Sequence, residues 1–147
     1  MSGVVVDSSV WIDFFAGRSI PSLEEALTQG TVVLPPLVVA ELVSGARQQQ
    51  RSAIEDLLQE FPLHETPLAH WIRVGELRRD LRNKGISISI PDAHVAQCAL
   101  DRDAVLLSRD AVFASIARHS SLRVHSASLG CVFLRGRPNG FKGSALR

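Results

Sequence analysis

Short runs of β-branched and other apolar residues alternate along this chain with longer stretches in which apolar positions recur every three or four residues. The first run, Val4-Val5-Val6, reads as a buried strand. Polar Asp7-Ser8-Ser9 closes it, and Val10-Trp11-Ile12-Asp13-Phe14-Phe15 follows as a helix. Ser22, three residues before Glu25, matches a capping box that opens a helix to about Gln29, and Gly30 ends it. Thr31 to Leu34 reads as a second strand. Pro35-Pro36 stops that strand and suits the first turn of a helix running to about Ala46. Gln48 to Glu60 and Pro67 to about Asn83 both carry apolar residues at helical spacing, with Leu63-His64-Glu65 as a candidate short strand between them. Pro91 opens another helix, with Asp92 in its first turn and Val95, Ala96, Ala99 and Leu100 turned inward. Ala104 to Leu107 is a strand, Ser108-Arg109-Asp110 its exit turn, Val112 to Ala117 a helix and Leu122 to Val124 a last strand. Strands alternating with helices predict a three-layer α/β/α fold around a central parallel sheet of four or five strands. Ligands on such sheets gather at the carboxyl ends of the strands.

Four carboxylates stand at the ends of these apolar runs: Asp7 after Val4-Val5-Val6, Glu41 after Val38-Val39-Ala40, Asp92 after Ile90-Pro91, and Asp110 after Leu106-Leu107-Ser108-Arg109. An acid so placed does little for a core, because a buried carboxylate is costly unless something pairs it. A shared divalent cation would pair all four. Hard cations held by carboxylates suit phosphodiester hydrolysis, since they acidify an attacking water and stabilise charge on the leaving 3′ oxygen. Plainer readings exist for each acid. Asp7 and Asp110 are good helix N-caps, Asp92 is a first-turn acid favoured by the helix dipole, and Glu41 suits an exposed helix face. The apolar flanks of Glu41 and the recurrence of the pattern four times favour the cation.

Composition narrows the classes. The chain has 147 residues with 46% hydrophobic content, enough for one domain with a sizeable core. Its longest apolar runs fall well short of the roughly 20 residues that cross a bilayer. No basic region, apolar segment and small-residue cleavage site follow one another at the N-terminus, so no membrane partner and a cytoplasmic location are expected. Cys98 and Cys131 form no zinc pattern and are expected as reduced thiols. The formal charge is only +1, but all 15 acids lie within residues 1–110, whereas residues 111–147 hold 6 Lys/Arg and no acid. That asymmetry would offer a polyanion positive charge beside an acidic pocket. The absence of GxGxxG excludes a dinucleotide-binding dehydrogenase. A phospho-receiver domain is disfavoured because Asp7-Ser8-Ser9 is not a paired acidic pocket.

Val4-Val5-Val6-Asp7-Ser8-Ser9-Val10-Trp11-Ile12-Asp13, Val38-Val39-Ala40-Glu41-Leu42, Ile90-Pro91-Asp92-Ala93-His94-Val95-Ala96 and Leu106-Leu107-Ser108-Arg109-Asp110, in that order and spacing, resemble the PIN-domain ribonucleases, specifically the VapC toxins of toxin–antitoxin pairs. Each motif alone is weak, whereas the four together are specific, and the resemblance covers about residues 3–125. It implies a Mg2+- or Mn2+-dependent endoribonuclease acting on RNA. Asp7 and Asp92 would be the principal metal ligands, Glu41 a ligand or the group that positions water, and Asp110 the fourth acid. Ser9 and Ser108 would orient the acids, and water attack would leave a 5′-phosphate. It further implies a homodimer, and a hetero-oligomer with a VapB-like antitoxin that blocks the site. The domain so defined is residues 1–129. Residues 130–147 form a basic tail outside the pattern, expected to be mobile or partner-bound. Two alternatives are a non-catalytic PIN-like interaction module, disfavoured by the presence of all four acids, and a DNA-directed nuclease of related fold, for which the chain is short.

Other residues carry plainer expectations. Asp13 reads as a surface acid. His94 and Cys98, spaced i, i+4, are two metal-ligand types without partners, and read as core edge or surface. Trp11 and Trp71 read as core or interface aromatics, Phe14, Phe15 and Trp71 as patches for a partner, and Arg78, Arg79, Arg82 and Lys84 as a solvated face. Arg109 stands where it could reach a phosphate beside the metal.

Overall fold

Val5 and Val6 are fully buried because the strand that carries them, β1 (Val4–Val6), has a parallel partner on each side. β-Branched side chains with no polar alternation are what a strand covered on both faces demands. The computed structural model describes residues 3–127. In it β1 pairs with β2 (Val32–Val33) and β3 (Val105–Ser108), and β3 pairs with β4 (Arg123–Ser126), all parallel, in the order β2-β1-β3-β4. Helices α1 (Ser8–Phe15) and α2 (Pro21–Gln29) link β1 to β2. α3 (Pro36–Gly45), α4 (Arg51–Leu58), α5 (Leu68–Asn83) and α6 (Ile90–Arg102) link β2 to β3, and α7 (Ala111–Ala117) links β3 to β4. The result is the expected three-layer α/β/α arrangement on a four-stranded parallel sheet.

The strand order places the site before any side chain is considered. From β1 the chain goes outward to β2 on one side and returns to β3 on the other. The crevice outside the carboxyl ends of β1 and β3 is therefore a topological switch point, where the connections diverge and leave room for a ligand. Beneath it lies an apolar core. Trp11 is fully buried on α1 and stacks on Phe15 at 5.8 Å with an interplanar angle of 21°, and Phe14 and Phe61 complete the aromatic group.

Several local expectations shift. The Ser22–Glu25 box does not cap α2. Pro21, whose fixed φ suits a first helical turn, starts the helix directly after extended Ile20, and buried Ser22 Oγ has no hydrogen-bond partner among the described residues. Gly30 ends α2 as expected, in the left-handed conformation at φ 67°. The candidate strand around His64 reduces to one bridge, Leu34 to Leu63. Phe14 and Phe15 are core residues rather than an exposed patch. Among the described residues no helix is long and apolar enough to cross a membrane. The boundary expected after residue 129, the tail 130–147 and Cys131 lie outside the described residues.

Candidate active site

Asp7 follows β1 directly, and its backbone N–H donates to the Leu107 carbonyl of β3 at 3.0 Å. The register Val6 to Leu107 thus sets Asp7 beside Ser108, the last residue of β3. Asp7 is the N-cap of α1, its Oδ1 accepting the Ser8 N–H at 2.8 Å. Its other oxygen, Oδ2, accepts from Ser9 Oγ at 2.7 Å and from Ser108 Oγ at 3.1 Å. Three donors from three residues fix the carboxylate in one orientation. Asp7 is buried at 7% exposure and forms no ion pair among the described residues.

The other three acids arrive from separate elements. Asp110 caps α7 through Oδ1 and the Val112 N–H at 3.0 Å, and its own N–H donates to Ser108 Oγ at 3.0 Å. Ser108 therefore holds both Asp7 and Asp110. Asp92 sits half-buried in the first turn of α6, where Ser89 caps the helix by accepting the Asp92 N–H at 3.2 Å. Glu41, on α3, accepts from Ser8 Oγ at 2.9 Å, which ties it to the residue next to Asp7. Ser8 thus links Glu41 to Asp7, and Ser108 links Asp7 to Asp110, at the carboxyl edge of β1 and β3. Glu41 and Asp110 are exposed; α3 buries only the stripe through Val38 and Leu42, and Glu41 is turned toward Ser8 at the edge.

Burial raises the pKa of Asp92 above the ordinary carboxylate value. The negative charges of Asp110 and Asp7 push it further up, against the opposing hydrogen bond from Ser89. Three of the four acids therefore share one electrostatic neighbourhood. Among the described residues none of the four forms an ion pair with a Lys, Arg or His. An oxygen-only donor set with uncompensated negative charge, open to solvent on one side, fits a hard divalent cation such as Mg2+ or Mn2+ and does not resemble a thiophilic site.

Two residues near the edge depart from expectation. Asp13 is buried, at 8% exposure, rather than at the surface, and it is paired: Arg18 Nη1 lies 3.1 Å from Oδ1, and Arg109 Nη2 bonds Oδ2. Arg109 is thus engaged by a carboxylate instead of standing free for a phosphate. Ser8 and Ser89, which position Glu41 and Asp92 respectively, carry no signal of that role in the sequence beyond their places at helix starts. His94 and Cys98 are fully buried, not peripheral.

A family model for the PIN domain matches residues 4–119. No curated protein sequence matches the chain. Among solved structures, VapBC2 from Rickettsia felis bound to a DNA fragment from its promoter is similar, with TM-score 0.72 and 21% identity over 87% of this chain and 100% of the other. DNA-bound VapBC from Salmonella typhimurium aligns with TM-score 0.70 and 18% identity over 87% and 100%. VapBC-5 from Mycobacterium tuberculosis aligns with TM-score 0.67 and 21% identity over 85% and 98%. At these identities the structures speak for the fold.

Proposed function

The chain belongs to the PIN-domain family, a family of nucleases, and on that premise we propose that it is a divalent-metal-dependent endoribonuclease, the toxin of a toxin–antitoxin pair. The observation that carries the proposal is that Asp7, Asp92 and Asp110 share one electrostatic neighbourhood at the switch point, with Glu41 tied to it through Ser8, and that among the described residues no Lys, Arg or His pairs with any of the four. In this reading Asp7 and Asp92 are the principal ligands of Mg2+ or Mn2+, with Glu41 and Asp110 completing the acidic set. When bound, the cation would supply Lewis acidity to an attacking water and to the leaving oxygen. The chain's own contribution is orientation: Ser9 and Ser108 hold the Asp7 carboxylate, Ser8 holds Glu41, and Ser89 fixes the turn that presents Asp92.

The proposed partner is a VapB-like antitoxin, as in the similar VapBC complexes. Exposed Leu68 and Ile72, with partly exposed Trp71, form an apolar stretch of α5 that suits a protein partner or a second copy. The experiment incubates the purified, antitoxin-free chain with total RNA in Mg2+ or Mn2+, beside Asp92→Asn and an EDTA control, with the ends mapped by sequencing. Discrete cuts bearing 5′-phosphates that vanish in both controls are expected. A folded, metal-binding protein that leaves RNA intact and cuts single-stranded DNA would replace the RNA reading with a DNA-directed one, and no cutting of either would leave an interaction module.

A further inference from the structure

Away from the acidic edge, behind α6, lies a second group of polar side chains that the nuclease reading does not use. His70 of α5 and His94 and Cys98 of α6 are all fully buried, and His64, in the segment before α5, is 6% exposed. His64, His70 and Cys98 each present a ligand atom within 4.8 Å of the other two. His94 joins them, with Nδ1 2.8 Å from His70 Nε2 and its ring nitrogens 3.7 and 4.0 Å from Cys98 Sγ. Trp71 stacks on His94 at 4.8 Å with an interplanar angle of 10°.

Most of this group is satisfied as it stands. The Leu37 N–H approaches His94 Nε2 at 3.5 Å. His94 Nδ1 and His70 Nε2 share one proton, and His70 Nδ1 meets Asp101 Oδ2 at 2.8 Å. Asp101 is in turn clamped by Arg73, through Nε at 2.8 Å and Nη2 at 3.1 Å, and by Gln97 at 2.8 Å. His64 is the exception. Both its ring nitrogens are buried without a hydrogen-bond partner among the described residues, and Asp101 Oδ2 at 3.7 Å from Nε2 is beyond hydrogen-bond length. A buried imidazole with no partner is costly, and such groups are rare unless something is bound there.

We propose that His64, His70 and Cys98 bind a borderline transition-metal ion, Zn2+ being the best match. Imidazole nitrogens with one thiolate are a zinc donor set, and tetrahedral bonds of about 2.0–2.3 Å put ligand atoms roughly 3.3–3.6 Å apart. The ligand atoms of His64, His70 and Cys98 already lie within 4.8 Å of one another, so side-chain movements of roughly an ångström bring these three toward that geometry. Asp101 takes the outer position of a carboxylate–histidine–metal arrangement: it accepts a hydrogen bond from the His70 Nδ1–H, which leaves Nε2 to bind. Burial keeps His64 in the neutral form a metal needs, and it raises the Cys98 thiol, so binding releases one proton from Cys98 to solvent. The ion would pin the segment holding His64 and helices α5 and α6 together, bracing the helix that presents Asp92. The site shares no ligand with the acidic edge and stands independently of the nuclease reading.

The test titrates the full, EDTA-stripped chain with Zn2+, and separately with Co2+ as a spectroscopic probe, comparing wild type with His64→Phe, Cys98→Ala and Asp92→Asn. Expected for wild type are about one tightly held Zn2+ per chain, a near-ultraviolet thiolate-to-Co2+ charge-transfer band, and a melting midpoint raised about 5–10 °C when free Zn2+ is roughly a hundredfold above Kd. Asp92→Asn keeps all three. Cys98→Ala loses the band, and His64→Phe, which removes only unpartnered nitrogens and so keeps the fold, loses the tight Zn2+. A folded wild-type chain with no such band, tight Zn2+ retained in His64→Phe, or binding abolished only by Asp92→Asn would each overturn the proposal.

Discussion

Asp7 and Asp110 each do two things, since both cap a helix and both belong to the acidic cluster. Asparagine caps a helix about as well as aspartate. Asp7→Asn and Asp110→Asn should therefore separate the roles, with folding stability within about 0.5 kcal/mol of wild type and RNA cleavage reduced at least about a hundredfold. Asp7→Ala should lose cleavage and also about 1 kcal/mol of stability. Denaturant titration alongside a cleavage assay reads both, and an Asp7→Asn chain that still cuts at the wild-type rate would remove Asp7 from the metal site. Ser108 is the residue that joins the two acids, donating to Asp7 and accepting from the Asp110 N–H while only 2% exposed. Removing its hydroxyl leaves one buried lone pair and one N–H short of a partner. Ser108→Ala should cost about 1–2 kcal/mol, and it should raise the Mg2+ concentration for half-maximal cleavage about tenfold.

α6 shows how one element serves two regions, and how much of this is legible in the sequence. Its start is readable, because Pro91 and the acid after it mark a first turn, and Ser89 supplies the cap. Its inward face is readable through Val95, Ala96, Ala99 and Leu100. The burial of His94 and Cys98 on the same helix is not, because His64, His70 and Leu37, which lie against them, come from other elements and local periodicity carries no information about them. The Ser22 box misleads for the opposite reason, since a valid local pattern is overridden by Pro21 one residue earlier. Burial, with His70 and His64 alongside, lowers the pKa of His94 to about 4 from the usual 6.5. The unfolded chain thus takes up a proton that the folded chain refuses, so the stability contributed is complete above pH 6.5 and is lost as pH falls toward 4. Denaturation midpoints of the metal-stripped chain should decline through that window, and the decline should be shallower in His94→Gln. A flat profile would mean that His94 opens to solvent.

The whole chain combines an acidic edge with a basic C-terminal quarter. The positions of Asp7 and Asp110 are legible because each follows a strand, β1 or β3, and a parallel sheet brings strand ends to one edge by construction, whereas Glu41 and Asp92 are carried by helices α3 and α6. Charge asymmetry is equally legible from composition, while its use depends on where a polyanion lies. Residues 111–147 carry 6 Lys/Arg and no acid, and Arg135, Arg137, Lys142 and Arg147 fall beyond the boundary that the sequence places after residue 129. If these cations track RNA phosphates, they act by counterion release and contribute nothing to the chemical step. A chain ending at residue 129 should then bind long RNA more weakly, with a log Kd against log salt slope smaller by about one unit for each phosphate left without its cation. It should still cut a short RNA spanning the target site at an unchanged single-turnover rate. Equilibrium binding across a salt series, with single-turnover cleavage on both substrates, distinguishes the outcomes. An unchanged slope would assign the tail cations to a role other than holding RNA, and a lost turnover on the short RNA would place the tail in the cleavage step itself.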